Sequence, residues 1–447
     1  MQAYSLAQDL AGKGKHEEAV AQYRRAVEKD PDFGRAYSGL ALSLSNLGRT
    51  DEAEPHWKKA LSLLDRMTER EKYRTLGLYY NRVARNYEKA IESFSTLVRL
   101  YPADSAGHTN LALAHFRTLN FQKALEEGRR AVEIYRGSVT TWNNYALYAM
   151  YAGDFATASA QAALIVKQYP DFPKAYLPLA MAALASENPS GARDAYATMA
   201  KAGPRGASLA SMGLADLALY EGRVTDAQDI LKAGVADDEK AKNTAGMATK
   251  YVALAEAYVA ERKMALAVSA VESAMKLSRQ DLGVLMPAAN VFLTTGREND
   301  ARTIAAQFDT LQAQSRAYAK LVDGMIAARR RQPVVAVEAY RAALKLADFW
   351  LARFHLGVAY VEAGHYAEAI SELETCLKRR GEATAVFLDD VPSFRYLAPL
   401  QYWLGRAKEG LGMTPVAAEH YKAFLKLRPQ GHRDPLAEDA RKRVKSP

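Results

Sequence analysis

Along most of the chain the small and bulky apolar positions recur three and four residues apart, which is the spacing of one helix face rather than of a strand. One column is an alanine followed by a bulky residue four places on and a small or apolar one three further. It opens as Ala19, Tyr23, Ala26 and recurs as Ala53, Trp57, Ala60 and as Ala90, Phe94, Leu97. The alanine returns at Ala124, Ala158, Ala192, Ala227, Ala267, Ala301, Ala336, Ala369 and Ala417, with successive steps of 34, 37, 34, 34, 34, 35, 40, 34, 35, 33 and 48 residues. A period of this kind identifies an array of repeated units, each too small to bury its own apolar face.

Twelve residues before each alanine lies a second column, again helical in its surroundings and nearly always small: Ala7, Ala41, Leu78, Ala112, Ala146, Ala180, Ala215, Ala255, Ala289, Gly324, Gly357 and Gly405. Between the columns stand Gly14, Gly48, Gly153, Gly222, Gly296, Gly364 and Gly412. Such glycines end a helix in the left-handed region at little cost. Each unit therefore reads as helix, short turn, helix. Small residues let the backbones approach, and the bulky residue fills the gap between neighbouring units. Prolines at Pro31, Pro102, Pro170, Pro204 and Pro429 are expected to stop the second helix of their units.

These spacings, Leu6-Ala7, Gly14, Ala19, Tyr23, Ala26, Pro31 and Leu40-Ala41, Gly48, Ala53, Trp57, Ala60, resemble the tetratricopeptide repeat. The resemblance runs from residue 1 to about 430. It implies an all-α, right-handed superhelical solenoid of about twelve helix-turn-helix repeats over 1–433, closed by a capping helix and basic tail at 434–447. The long steps place irregular links at 235–250 and 381–399. Departures from the pattern are Leu78 in the small column and Gly128 and Ala162 where a bulky residue is expected. The resemblance further implies that the first helix of each unit lines a concave groove. Its groove-facing positions carry Asn143, Leu147 and Tyr151, then Leu177 and Met181, then Met212, Asp216 and Tyr220. Val252 and Glu256, Met286 and Asn290, and Met325 continue the series. This lining is apolar and rich in methionine, which adapts to a partner's shape, so it suits an extended or helical peptide. The same positions equally suit packing against neighbouring repeats. The family's two-carrier clamp for a terminal carboxylate is not supplied at the matching positions. The opening segment, LLDRMTEREKYRTLGLYY and the late insertion are also similar to repeat regions that follow the kinase domain in some bacterial serine/threonine kinases. That likeness implies a sensory or regulatory role as the alternative.

Composition narrows the function classes. The 447 residues are 49% hydrophobic and 25% charged, enough for a large core. The net charge of +9 is spread thinly, with clusters only at Arg329-Arg330-Arg331 and Arg441-Lys442-Arg443-Val444-Lys445, so nucleic acid is not an expected partner. Cys376 is the only cysteine, which leaves no disulfide within the chain and no cysteine-based zinc site. The histidines form no HExxH pair, and His108 and His115, seven apart, are read as packed or surface residues. No GxGxxG, GxxxxGK[ST], GxSxG or kinase motif is present. Neither catalysis nor a cofactor nor a metal is expected. No stretch is long and apolar enough for a transmembrane segment, and the first residues carry no export signal, which gives the cytoplasm as the expected compartment. The periplasmic side of an inner membrane is the alternative if the chain belongs to an anchored kinase.

The insertion from Gly381 to Pro399 is too apolar for an idle loop, with Val386, Phe387, Leu388, Phe394, Tyr396 and Leu397. It is expected to fold back on the last units as a plug or an extended first helix, or else to present a partner epitope. Asp389-Asp390 within it reads as a solvated pair. Leu436, Ala437, Ala440 and Val444 share one face of the closing helix, as a solenoid cap requires. The chain is thus expected to be a protein-interaction scaffold that binds a peptide or partner helix in its groove.

Overall fold

A computed structural model describes residues 2–309, 313–387, 393–428 and 434–445. Among the described residues there is no strand. The chain falls into two compact units, Met1–Gly137 and Ser138–Pro447. Pro429, His432, Leu388 and the Asp389-Asp390 pair lie outside the described residues.

The first unit holds four helix pairs: α1 Gln2–Gly12 with α2 His16–Lys29, α3 Gly34–Asn46 with α4 Thr50–Ser62, α5 Glu69–Arg82 with α6 Tyr87–Leu100, and α7 Ser105–Arg117 with α8 Phe121–Ile134. The 37-residue step is absorbed by a 3-10 turn at Leu64–Arg66 and by a capping box in which Thr68 and Glu71 cap the start of α5. Asp104 caps α7 through the Gly107 N–H at 2.8 Å and binds Arg70 and Arg74 of α5. His108 and His115 are both buried, and His108 meets Glu127 of α8 at 2.5 Å.

The second unit holds eight pairs and a cap. They are α9 Val139–Tyr151 and α10 Phe155–Gln168, α11 Tyr176–Ala185 and α12 Pro189–Met199, α13 Gly203–Tyr220 and α14 Val224–Lys240, α15 Thr244–Ala260 and α16 Met264–Leu277. Then follow α17 Leu282–Thr294 and α18 Glu298–Asp309, α19 Ala313–Arg329 and α20 Pro333–Leu346, α21 Trp350–Ala363 and α22 Tyr366–Lys378, α23 Leu400–Gly410 and α24 Thr414–Lys426. The cap, α25 Pro435–Lys445, buries Ala437 and Ala440, with Leu436 and Val444 partly buried against Tyr402, Tyr421 and Phe424.

All twelve marker alanines are 0 or 1% exposed. In six repeats the bulky residue four places on, Tyr23, Phe94, Tyr196, Tyr340, Leu373 or Tyr421, lies against a glycine of an adjacent first helix. A Cβ on Gly77 would stand 2.6 Å from the Phe94 ring, one on Gly39 2.5 Å from Tyr23, and one on Gly405 2.6 Å from Tyr421. The ring occupies the space that a side chain would need, so the small residue sets the spacing between helices.

The turn inside every pair has one geometry. The seven glycines expected there all have positive φ. In the other five pairs the same position, five before the marker alanine, is taken by Arg85, Leu119, Glu187, Arg262 and Arg331, also with positive φ. Asn86, Asn120 and Asn188 then cap the following helix with their side chains.

The expected irregular link at 235–250 is instead helix on both sides of a tight turn. Here α14 runs on to Lys240, Lys242 takes a positive φ of 57°, and Asn243 caps α15. The additional turns of helix bury Lys250, 1% exposed, against Asp238 at 2.5 Å, with Ser208 at 3.0 Å. Asn243 donates to Asp238 and Ser208. Pro204, expected to close a second helix, lies in the first turn of α13, where its missing N–H costs nothing.

Two measurements test this packing. Arg331 is exposed and held at φ 58°, so Arg331→Gly is expected to raise stability by a few tenths to about 1 kcal/mol in urea unfolding, because strain relief exceeds the added chain entropy. For Gly77→Ala, overpacking against Phe94 costs about 1–3 kcal/mol and helix propensity returns at most about 1. A net loss near 1 kcal/mol is expected, and a gain would mean that the ring is not what fixes this helix spacing.

Candidate functional site

In the second unit the first helices, α9, α11, α13 and so on, carry the candidate groove residues. Asn143, Tyr151, Leu177, Met181, Met212, Val252, Met286 and Met325 are buried, as is Asp216. Leu147, Tyr220 and Glu256 are partly buried, and Asn290 alone among the thirteen is exposed. These positions therefore do not form an open apolar trough. Residues 381–387 and 393–399 of the same chain pack against the helices that carry them.

That insertion leaves α22 and enters the unit's interior. Gly381 lies on the end of α9, where an added Cβ would meet the Met150 carbonyl and the Gly153 N, so only glycine fits. A 3-10 turn, Glu382–Ala385, follows, with Ala383, Thr384 and Ala385 buried. The Tyr318 hydroxyl of α19 donates to the Val386 carbonyl at 2.9 Å, and Phe387 is buried. Beyond residues 388–392, which are not described, Ser393 N–H donates to the Thr384 carbonyl at 3.2 Å, so the two arms of the insertion meet.

Phe394, Arg395 and Tyr396 make the densest contacts. The Phe394 ring meets Tyr220 of α13 edge-on at 5.0 Å. Its N–H donates to Asp216 Oδ2 at 2.6 Å, and the Arg395 N–H reaches Oδ1 at 3.4 Å. The Arg395 guanidinium spans two helices, donating through Nη1 to Asp216 at 2.8 Å and through Nε to Glu256 of α15 at 2.8 Å. The Tyr396 hydroxyl donates to Glu256 Oε1 at 2.7 Å and accepts from Arg395 Nη2 at 3.0 Å, while its ring packs edge-on against Phe387 at 5.5 Å. Burial pushes the Asp216 carboxyl up from the usual range against the pull of Arg395, and it pushes the Tyr396 phenol up as well. The neighbouring carboxylates hold the Arg395 guanidinium charged in spite of its burial. Two carboxylates face one cation here.

The last pair returns to this region. Lys426 of α24 pairs with Glu187 at 2.8 Å, and Arg428 donates to the Tyr220 carbonyl while pairing with Asp434 at 2.8 Å. Between this closure and the insertion lies a cavity of about 590 Å³ bounded by Leu184, Tyr220, Phe394, Leu397, Leu427 and Arg428, among others.

Of the candidates, Asp216, Tyr220 and Glu256 are brought together on one occupant, whereas Asn290 is not joined to them. The residues that sequence reasoning missed are the occupant's own: Arg395, and the Phe394 backbone N–H. One signal was present, since Arg395 is the only cation between Glu382 and Gln401, and Asp216 and Glu256 are carboxylates in a largely apolar column. The insertion was expected on the last units, but it reaches α9, α13, α15 and α19. Nothing in this arrangement is a nucleophile with a base. Cys376 is buried, and burial pushes its thiol far up. Among the described residues no three His, Cys, Asp or Glu side chains are gathered as for a metal ion, and no helix is long and apolar enough to cross a membrane. What the site does chemically is hold an aromatic–arginine–tyrosine segment by charge, hydrogen bonds and ring packing.

Paired helices with this repeat define a helical-repeat protein of the kind that builds interaction scaffolds. The profile of the tetratricopeptide repeat matches residues 4–65, 82–139, 145–207 and 321–382, and the chain belongs to that family. The peroxisomal targeting signal receptor of Candida glabrata is 42% identical over 60 residues, 13% of this chain, which spans about a tenth of that receptor's length. Among solved structures, human IFIT1 with m7Gppp-AAAA aligns over 88% of this chain and 90% of its own at 15% identity and a TM-score of 0.45. Cut9 with Hcn1 aligns over 94% and 85% at 12% and 0.41, and yeast Tom70 over 99% and 95% at 11% and 0.39.

Arg395→Ala strands the buried Asp216 carboxylate and the partly buried Glu256, and breaking a buried pair in this way costs about 3–5 kcal/mol. The docked insertion is expected to be lost, with chymotryptic cleavage at Phe394 and Tyr396 accelerated at least tenfold. An unchanged cleavage rate would show that the ion pair does not hold the segment.

Proposed function

We propose that this protein is an interaction scaffold that receives peptide segments in the concave groove of its 138–447 unit. One observation supports the reading: first helices α13 and α15 already hold a short segment of the same chain, the 3-10 turn Arg395–Leu397 and the Phe394 before it. They grip that segment as a peptide site does, with Asp216 accepting from two successive backbone N–H groups, Glu256 accepting from side chains, and Tyr220 offering a ring face. Backbone hydrogen bonds supply affinity and side-chain pockets supply selectivity in such recognition. The carboxylates make the site unsuited to phosphate-rich nucleic acid and suited to a cationic chain. Membership of the repeat family supports the same general role.

The test is selection of displayed random peptides on the full chain, followed by cross-linking of photo-reactive versions. Cross-links are expected on groove helices, at residues such as Tyr220, Glu256 and Asn290. Cross-links confined to second helices such as α10, α14 and α16, or no selected peptide at all, would overturn the reading.

A further inference from the structure

Resting on the groove reading, we infer that Phe394-Arg395-Tyr396 is a built-in stand-in for a partner peptide with an arginine flanked by aromatic residues, and that this partner binds by displacing the segment from Asp216 and Glu256.

The insertion is supernumerary to the fold. The step from Ala369 to Ala417 is 48 residues where other units use about 34, yet α23 and α24 still pair as an ordinary unit after it. The described parts of the insertion form two short 3-10 turns, Glu382–Ala385 and Arg395–Leu397, so its hold on the groove depends on groove side chains more than on structure of its own. Those side chains are arranged for a guanidinium. Carboxylates from two different helices approach Nε and Nη1 at 2.8 Å each, a planar fork that a lysine ammonium does not reproduce. The aromatic flanks are equally specific, with Phe394 against Tyr220 and Tyr396 both packed on Phe387 and hydrogen-bonded to Glu256.

A route for exchange adjoins the segment. The 590 Å³ cavity is lined by Phe394 and Leu397 themselves. One of the contacts that closes it, Lys426 with Glu187, joins side chains that are 74% and 80% exposed, and such surface pairs contribute little.

The probe is a fluorescein-labelled peptide, Gly-Ser-Phe-Arg-Tyr-Leu-Ala-Gly, titrated against the full-length protein and against a full-length Phe394→Ser, Arg395→Ser variant. The variant is expected to bind at least tenfold more tightly than the unaltered protein, and the same peptide with glutamate in place of arginine is expected to bind at least tenfold more weakly. A folded variant that binds the probe no better than the unaltered protein overturns the inference, as does a variant that becomes a dimer by exchanging insertions. Should the variant fail to fold, hydrogen exchange on the unaltered protein decides. The Phe394 and Arg395 amides are expected to exchange at least a hundredfold faster than those of α11 and α13, and faster still once the probe exceeds the tethered segment's effective concentration, on the order of millimolar. Equal protection makes the segment a permanent plug and overturns displacement. Selected peptides that cross-link to the groove while these amides stay protected would leave groove recognition standing and remove the displacement step alone.

Discussion

A pair of antiparallel helices has two broad faces and can bury one of them only against another pair. Everything else in this fold follows from how closely successive pairs can approach. The marker alanines, all but inaccessible in every repeat, and the glycines that meet Tyr23, Phe94 and Tyr421 remove side-chain volume where the helices come together. Dispersion contacts then accumulate over many atoms at small individual gain. Stability is shared between neighbours along the stack, so no central core is needed, and the array tolerates an insertion that a closed globule would not.

This constraint also explains how much of the fold was legible. Close approach demands a small residue at a fixed register, and a tight turn demands a left-handed residue at another. Both requirements leave marks that repeat with the period, so twelve pairs and seven turn glycines could be read directly. The five turns without glycine were hidden because arginine, leucine and glutamate stand in the left-handed region there; at Arg85, Leu119 and Glu187 a cap from Asn86, Asn120 or Asn188 follows, and at Arg262 and Arg331 no side-chain cap does. The link at 235–250 was misread for a related reason. A long step between markers signals extra residues but not their form, and here they lengthen α14 and α15 around a left-handed Lys242 while burying the Lys250–Asp238 pair. Nor does periodicity mark where an array divides into the two compact units.

The surroundings of Arg395 were legible by half. The columns follow from helical register, so Asp216 and Tyr220 on one first helix and Glu256 on the next could be named together. Their occupant could not, because Arg395 lies 179 residues from Asp216 and no periodic pattern connects them. The pairing rests on complementarity between one isolated cation and two isolated carboxylates, each unusual in its own apolar surroundings. Buried charge without a partner is costly, so an unexplained carboxylate in an apolar column is a request for a counter-ion somewhere in the chain or outside it.

Occupation by a tethered segment sets terms for any competitor. A segment joined to its site at both ends competes at an effective concentration on the order of millimolar. A free peptide with the same contacts would therefore lose at micromolar concentration by roughly a thousandfold, about 4 kcal/mol. A partner prevails only by making contacts the resident segment lacks. The structure offers such contacts in the cavity that runs from Phe394 and Leu397 toward Leu184 and Arg428, whose charged lining is Arg193, Arg223, Arg380, Lys426 and Arg428 against Glu187 and Glu221. A longer chain with acidic or apolar residues beyond the arginine would use it, whereas a short match to Phe-Arg-Tyr alone would not. The insertion thereby raises the threshold for binding and sharpens the choice of partner at the same time.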